Sequence, residues 1–197
     1  MPAHPSAGNH DNTLANALMY YYGSQNKPFV YRCINRLDRD TTGLTIVAKH
    51  ALAGGILGNA VAKRAIHRTY YAVCSGCTPA YMRISAPIAR KDASTIERCV
   101  DFKRGENAVT DFIRIKYNPD NNLSLVKLRL LTGRTHQIRV HMKYIGFPLI
   151  GDFLYNPDYT YISRQALHSG RLVFTHPVTG QKMNLISDIP SDMKSLF

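Results

Sequence analysis

The sequence has few acidic residues, few cysteines and no long apolar run, and each shortage excludes a class of protein. Asp and Glu account for 13 of the 197 residues against 25 Lys and Arg, so the net charge is +12. This excess of positive charge indicates a polyanionic partner, and nucleic acid before a membrane surface. No apolar run approaches the roughly 20 residues of a membrane span, and no signal peptide opens the chain. We therefore expect a cytoplasmic protein without a membrane partner.

The four cysteines do not form a convincing metal site. Cys74 and Cys77 have the CxxC spacing of a zinc ligand pair, but zinc needs a second pair at close spacing. Cys33 and Cys99 are isolated and have no paired histidines near them. Cys74 also ends a predicted strand, where burial alone explains it. We therefore expect reduced thiols and no bound metal.

The hydrophobic pattern predicts one domain over residues 1–197. A hydrophobic fraction of 45% with 12 Tyr and 7 Phe argues against disorder. Helices are predicted over Leu14–Tyr22 (capped by Thr13), Ala51–Lys63 and His136–Ile145, and strands over Leu44–Ala48, Thr69–Cys74, Arg98–Lys103, Val109–Tyr117, Leu123–Leu131, Leu167–Phe174 and Lys182–Ile186. The last two strands are expected to form a hairpin, and the strand Leu123–Leu131 is expected to alternate apolar residues with Lys127 and Arg129. Because these elements lack a strict βαβ rhythm, we expect an α+β fold with a mixed, largely antiparallel sheet.

A polar stretch, Asn35–Gly43, lies just before the predicted strand Leu44–Ala48. It carries Asp38 and Asp40 between Arg36 and Arg39, with Leu37 as the one bulky apolar residue. A carboxylate flanked by arginines stays ionised, so it can act as a nucleophile or a base. The arginines suit an anionic substrate such as phosphate. On this stretch alone, a solvated loop with a local ion pair is the simpler interpretation.

A second polar stretch, Leu131–His141, precedes and enters the last long predicted helix. Its helical spacing gives a buried stripe of Ile138, Met142 and Ile145. His136, Arg139 and Lys143 share another face and form a row of donors suited to phosphates. An ordinary solvated face is the alternative, and we prefer it for Lys143.

Together the two stretches resemble the RluA-type family of RNA pseudouridine synthases. Asn35–Gly43 is similar to the catalytic loop of that family and Gly133–His141 to its GRTHQIRVH signature. His67–Val73 and Gly146–Asp152 resemble two further motifs, so that the likeness runs in order from about Pro2 to Met193. The resemblance implies a single catalytic domain with a central bent sheet, flanking helices and an RNA-binding cleft. It also implies a monomer that isomerises uridine to pseudouridine in ribosomal or transfer RNA. No atom is gained or lost in that reaction, so no cofactor is required.

The resemblance assigns roles to particular residues. Asp38 is expected to be the catalytic aspartate, Arg134 to pair with it, and Tyr70 to stack on the target uracil and remove the final proton. Arg36 is expected to take the place of the flipped uridine, because an enzyme that acts on a base must extrude it. The remaining expected RNA-binding residues contact the RNA backbone or order the loop; they are Arg39, His136, Gln137 and Arg139.

The sequence departs from the family pattern at a few positions. Asn35 stands where the family has His, Thr42 where it has Ser, and Arg68 where the Tyr70 strand has Lys. The resemblance also leads us to expect that a strand and a Lys-Pro motif, which in the family precede the segment similar to Met1–Pro5, are missing, together with the small RNA-binding domain that some relatives carry in front. Loss of a strand is expected to expose a sheet edge.

Two other functions compete with the enzyme reading. An RNA-binding module of the same fold would keep the basic surface without activity, but it has no need of Asp38, Tyr70 and Arg134 together. A glycosidase would use Asp38 and Asp40 as a carboxylate pair, but the basic composition suits a nucleic acid better than a neutral sugar.

Overall fold

The computed structural model describes residues 1–5, 8 and 10–197. It has an α+β fold with a mostly antiparallel sheet and flanking helices, as expected. The elements in chain order are α1 (Leu14–Gly23), β1 (Thr42–Gly43), α2 (Ala51–Ala62), β2 (His67–Ser75), β3 (Tyr81–Ser85), β4 (Ile88–Arg90), β5 (Arg98–Val100), β6 (Val109–Asn118), β7 (Leu123–Leu130), α3 (Gln137–Tyr144), β8 (Leu167–Thr175), β9 (Lys182–Ile186) and α4 (Ser191–Lys194).

The chain forms two compact units. The first unit comprises Met1–His67 and Arg171–Ile186, and the second comprises Arg68–Gly170 and Ser187–Phe197. The expectation of one catalytic domain over the whole chain stays a prediction.

In the first unit, α1 and α2 bracket the polar stretch Asn35–Gly43. Helix α1 begins where predicted, because Thr13 caps it: the Thr13 side chain accepts a hydrogen bond from the backbone N–H of Asn16, and the Asn16 side chain accepts one from Thr13 in return. One hydrophobic cluster lies in this unit, and it includes Ile46, Leu57 and Leu172. Strand β9 pairs antiparallel with the end of β8, which confirms the predicted hairpin.

The prediction of a strand over Leu44–Ala48 is wrong. The backbone N–H of Ile46 donates to the side-chain Oδ1 of Asn35 at 2.8 Å, where a strand would use a backbone carbonyl. After it, the N–H of Ile34 donates to the carbonyl of Ile46 and the N–H of Ala48 to the carbonyl of Arg32. These two backbone bonds enclose a single isolated bridge between Cys33 and Val47, which is too short to form a strand.

In the second unit, four strands form an antiparallel sheet in the order β2-β7-β6-β3, with the start of β8 next to β2. Strand β7 alternates as predicted: Val126 and Leu128 are buried, whereas Lys127 and Arg129 are exposed. Phe112 on β6 lies opposite Leu128 and is also buried. The alternation fixes which side chains line the core, since neighbouring residues of a strand point to opposite faces.

Two smaller elements complete the second unit. Strands β4 and β5 form a separate two-stranded sheet. Strand β5 ends at Val100, so it is shorter than the predicted strand Arg98–Lys103. It stops because Asp101 turns the chain: its carboxylate accepts the backbone N–H groups of Lys103 and Arg104. Helix α3 follows β7 and contacts both β5 and β6.

The longest helix of the described chain, α2, has 12 residues. Among the described residues, no helix has both the length and the apolar character to cross a membrane.

Candidate active site

The catalytic-loop candidate is fastened at its first residue. Asn35 is buried, and its side chain accepts the backbone N–H of Ile46. Its backbone carbonyl accepts the hydroxyl of Thr45 at 2.6 Å. The two ends of the loop therefore meet at one place beside the core, and the hydrogen bonds of Asn35 hold them together.

The middle of the loop presents its polar groups near the surface. Arg36 and Arg39 are exposed and Asp38 is half-buried. A turn forms here, because the N–H of Thr41 donates to the carbonyl of Asp38 at 3.0 Å and Asp40 adopts a left-handed φ of 68°. Nε of Arg39 lies 3.2 Å from a carboxylate oxygen of Asp40. The local ion pair that the sequence allowed therefore involves Asp40, the second carboxylate of the loop.

Tyr70 lies on β2, opposite Leu128 of β7, and is only 5% exposed. Tyr71 points to the other face and packs against the hydrophobic cluster around Val73. A Cβ at Gly170 would lie 2.5 Å from the Tyr71 ring, so Gly170 makes room for it. In this structure little of the Tyr70 ring is available for stacking on a base, and that role stays a prediction.

Gln137, the first residue of α3, is 2% exposed, and its side chain makes four hydrogen bonds. Its Oε1 accepts the hydroxyl of Thr132 at 2.8 Å and the backbone N–H of Arg134 at 2.9 Å. Its Nε2 donates to the carbonyl of Val109 at 3.0 Å and to the hydroxyl of Thr110 at 2.9 Å. Contact with RNA therefore does not fit Gln137, and ordering of the loop, the other expected role, does.

Arg139 is 1% exposed and forms a bidentate ion pair with the equally buried Asp152, with both N–O distances 2.7 Å. The carboxylate of Asp152 also accepts the backbone N–H groups of Leu154 and Tyr155. The guanidinium lies over the Phe153 and Tyr155 rings, at 5.3 and 5.0 Å from their centres. Because the guanidinium is enclosed and its charge is already balanced, phosphate contact does not fit Arg139 in this structure, whereas ordering of the loop, the other expected role, does.

His136 precedes α3 in a left-handed conformation, with φ of 56°. Its Nδ1 lies 2.9 Å from the hydroxyl of Tyr155, and that hydroxyl accepts the backbone N–H of Arg98 at 2.9 Å. The Tyr155 proton is then available to His136. Burial raises the pKa of Tyr155 to about 12, so the phenol stays protonated at neutral pH. His136 is half-buried, so part of its side chain remains accessible for contact with RNA.

Arg134 is held by groups of its own unit. Its Nε donates to the carbonyl of Asn107 at 3.1 Å, and its Nη1 pairs with the carboxylate of Glu106. Glu106 is 70% exposed on its side chain, so this ion pair lies at the surface. The expected pairing of Arg134 with Asp38 stays a prediction.

The described residues contain no group of three or more His, Cys, Asp or Glu side chains that could hold a metal ion. Cys74 is buried, which raises the pKa of its thiol, whereas Cys77 is exposed. The two sulfurs of the CxxC spacing therefore lie in different environments, and the expectation of no metal stays a prediction.

The fold and these motifs identify the class of protein to which the chain belongs. Residues 1–144 match the family model for RNA pseudouridylate synthase, and the chain belongs to this family.

Several individual proteins are similar to the chain over nearly all of its length. It is 42% identical to YjbO, an uncharacterised RNA pseudouridine synthase of Bacillus subtilis, over 98% of the chain and 68% of that protein. It is 38% identical to the ribosomal large subunit pseudouridine synthase D of Zymomonas mobilis, over 100% of the chain and 66% of that protein. The chain thus spans about two thirds of the length of these relatives.

A solved structure supports the same assignment. Human RNA pseudouridylate synthase domain containing 1 superposes with a TM-score of 0.75 at 25% identity, over 89% of this chain and 74% of that one.

Proposed function

We propose that this protein isomerises specific uridines to pseudouridine in ribosomal or transfer RNA in the cytoplasm. The observation that carries the proposal is the loop Asn35–Gly43 in a chain of this family: it is clamped by Asn35 and presents Asp38 beside two exposed arginines. A fixed carboxylate is the group that this reaction needs, and exposed guanidinium groups suit an RNA backbone. Relatives named for the ribosomal large subunit favour ribosomal RNA as the substrate.

The reaction breaks the bond between uracil N1 and the ribose, turns the base and joins C5 to the same ribose carbon. In our proposal Asp38 acts as an ionised carboxylate at the breaking bond, whether it attacks the sugar, adds to the ring or assists a glycal. The C5 hydrogen leaves as a proton once the carbon–carbon bond has formed, and N1 gains a proton. Atoms and electrons therefore balance without a cofactor.

The other residues position the substrate in this proposal. Tyr70 is the candidate to hold the free base and accept the C5 proton, and Arg134 to orient Asp38. Arg36 is exposed, as a residue must be if it fills the gap left by an extruded base. Arg39 and His136 are the remaining candidates for contact with the RNA backbone.

The proposal is tested with RNA that carries tritium at uracil C5. Isomerisation must release the label to solvent, because C5 gives up its hydrogen. Carbodiimide-blocked primer extension on unlabelled ribosomal and transfer RNA then maps the modified position. We expect tritium release and one or a few stops in ribosomal RNA. Tight RNA binding without release would support the binding module instead.

A further inference from the structure

A cavity of about 490 Å³ in the second unit is lined by basic side chains. Arg90, Arg98, Arg104 and Arg134 contribute to its wall, and Glu106 contributes a carboxylate. The space is far larger than one water molecule or small ion needs, and its wall carries three more positive than negative groups. A cavity of this kind suits an extended polyanion.

Two of these arginines oppose each other within the fold. Arg90 on β4 is the direct cross-strand partner of Arg98 on β5. Like charges at opposed positions of an antiparallel pair repel each other and destabilise the pair. The two guanidinium groups of this small sheet therefore repel each other, and an anion bound between them would reduce that repulsion.

The hydrogen bonds of the cavity single out Arg98. Arg90 donates to the carbonyl of Ala93 at 3.1 Å, Arg104 to Asp101 at 2.7 Å, and Arg134 to Glu106. Nη1 of Arg98 is buried and has no hydrogen-bond partner within the described part of the chain. A buried donor without an acceptor is costly, and a rotation of the guanidinium toward a phosphate in the cavity would give it both an acceptor and a counter-charge.

Hydrogen bonds connect this cavity to the Gly133–His141 motif. The N–H of Arg98 donates to the hydroxyl of Tyr155, which also contacts His136, the residue that precedes α3. Arg134 belongs to both the cavity wall and the proposed active site. We propose that the cavity binds a backbone phosphate of the substrate RNA close to the target uridine, with Arg98 as its main ligand. This inference rests on the proposed function.

The test combines stability with RNA binding for Arg98→Gln. Removing the repulsion and the unsatisfied donor should leave the melting temperature unchanged or raise it by about 1 to 3 °C at low salt. RNA affinity should fall, and the slope of log affinity against log salt should flatten by roughly 1. A purely structural arginine would lower the melting temperature and leave the salt slope unchanged, and that result would overturn the proposal.

Two further variants control the measurement. Arg98→Lys keeps the charge and loses the bidentate fork, so we expect a nearly normal salt slope with weakened affinity. Arg171→Gln removes an exposed arginine of the first unit that donates to Asn184 across a strand pair, and should leave the slope unchanged. If Arg171→Gln flattens the slope as much as Arg98→Gln does, the slope reports total charge, and the cavity is not a specific site.

A small free phosphate compound could occupy the same cavity as an RNA phosphate, so the binding of inorganic pyrophosphate is measured as a second experiment. If pyrophosphate binding depends on Arg98 while the RNA salt slope does not, the cavity takes a small phosphate and the RNA assignment is wrong. Failure of the proposed function is distinct from either outcome. It would appear as absent tritium release by the unmutated protein, whatever the effect of Arg98→Gln on binding.

Discussion

The two polar motifs of this chain, Asn35–Gly43 in the first unit and Gly133–His141 in the second, use their polar residues in opposite ways. The first buries one polar residue, Asn35, and leaves Arg36 and Arg39 exposed. The second buries Gln137, Arg139 and His141 and satisfies each of them within the protein. The first motif thus keeps its arginines at the surface, whereas the second uses buried polar residues to order its own unit.

The contrast shows that a polar signature is not by itself a contact surface. Buried polar groups are costly unless they are paired, and a network in which every member is satisfied fixes one arrangement of the chain. Substitutions at the buried residues of the Gly133–His141 motif should therefore reduce mainly the free energy of unfolding, whereas substitutions of Arg36 and Asp38 in the Asn35–Gly43 motif should reduce mainly turnover.

The largest effect is expected for Asp152→Ala. It leaves the buried guanidinium of Arg139 without its carboxylate, which should cost about 3–5 kcal/mol of unfolding free energy. Asp111→Ala is the matched control, because it breaks another bidentate pair with Arg83, whose side chain is 55% exposed. Such a pair should contribute less than about 1 kcal/mol. Urea denaturation measures both, and equal losses would contradict the structural role of Arg139.

Gln137→Met should cost about 1–3 kcal/mol, because it keeps the length of the side chain but leaves buried groups such as the N–H of Arg134 and the carbonyl of Val109 without partners. Gln181→Met, at an exposed position, should change the unfolding free energy by less than about 0.5 kcal/mol. If the Gln137 variant is as stable as the control but binds RNA more weakly, the residue contacts RNA after all.

Stability should also fall as the solution becomes mildly acidic. Burial lowers the pKa of His141 and of His168, so the folded protein resists a proton that the unfolded chain accepts near its ordinary pKa of about 6.5. The unfolding free energy should therefore decrease as the pH drops below about 6.5, by up to about 1.4 kcal/mol per pH unit for each histidine. His141→Gln should flatten the profile in part, and His141→Gln with His168→Gln should remove most of it. A flat profile in the unmutated protein would contradict this account.

The smallest effect on stability is expected for Arg36→Ala, since Arg36 is exposed on the loop. Surface substitutions of this kind change the unfolding free energy by less than about 0.5 kcal/mol. Turnover should nevertheless fall, because the gap left by the extruded uridine is no longer filled. A fluorescent base analogue beside the target uridine reports flipping directly. Normal flipping with weaker binding would make Arg36 an ordinary phosphate contact.

Sequence patterns predicted the parts of this fold that depend on local periodicity. The α1 helix with its Thr13 cap, the alternation of β7 and the hairpin of β8 and β9 were all predicted in the right place. Leu44–Ala48 was not, because a side chain distant from the strand, that of Asn35, takes the place of a backbone partner. The sequence pattern gives no sign that a side chain will replace a backbone hydrogen-bond partner.

The same limit applies to the candidate site. Arg139 has the spacing of a surface row with His136 and Lys143, and only its buried partner Asp152, on a separate segment, reveals that it faces inward. Tyr155 and Arg98 were missed for a similar reason, since their link to His136 joins three distant segments. Helical spacing identifies faces, but it does not show which face the rest of the chain covers.

The measurement that tests the central claim most directly is single-turnover tritium release from RNA labelled at uracil C5, with Asp38→Asn and Asp40→Asn compared side by side. The amide keeps the shape of each side chain and removes its charge. We predict that Asp38→Asn loses at least about 10⁴-fold in rate while its RNA affinity stays nearly normal, and that Asp40→Asn, whose carboxylate pairs with Arg39, keeps most of its activity. Appreciable release by Asp38→Asn, or an equal loss in both variants, would contradict the assignment of Asp38 as the catalytic carboxylate.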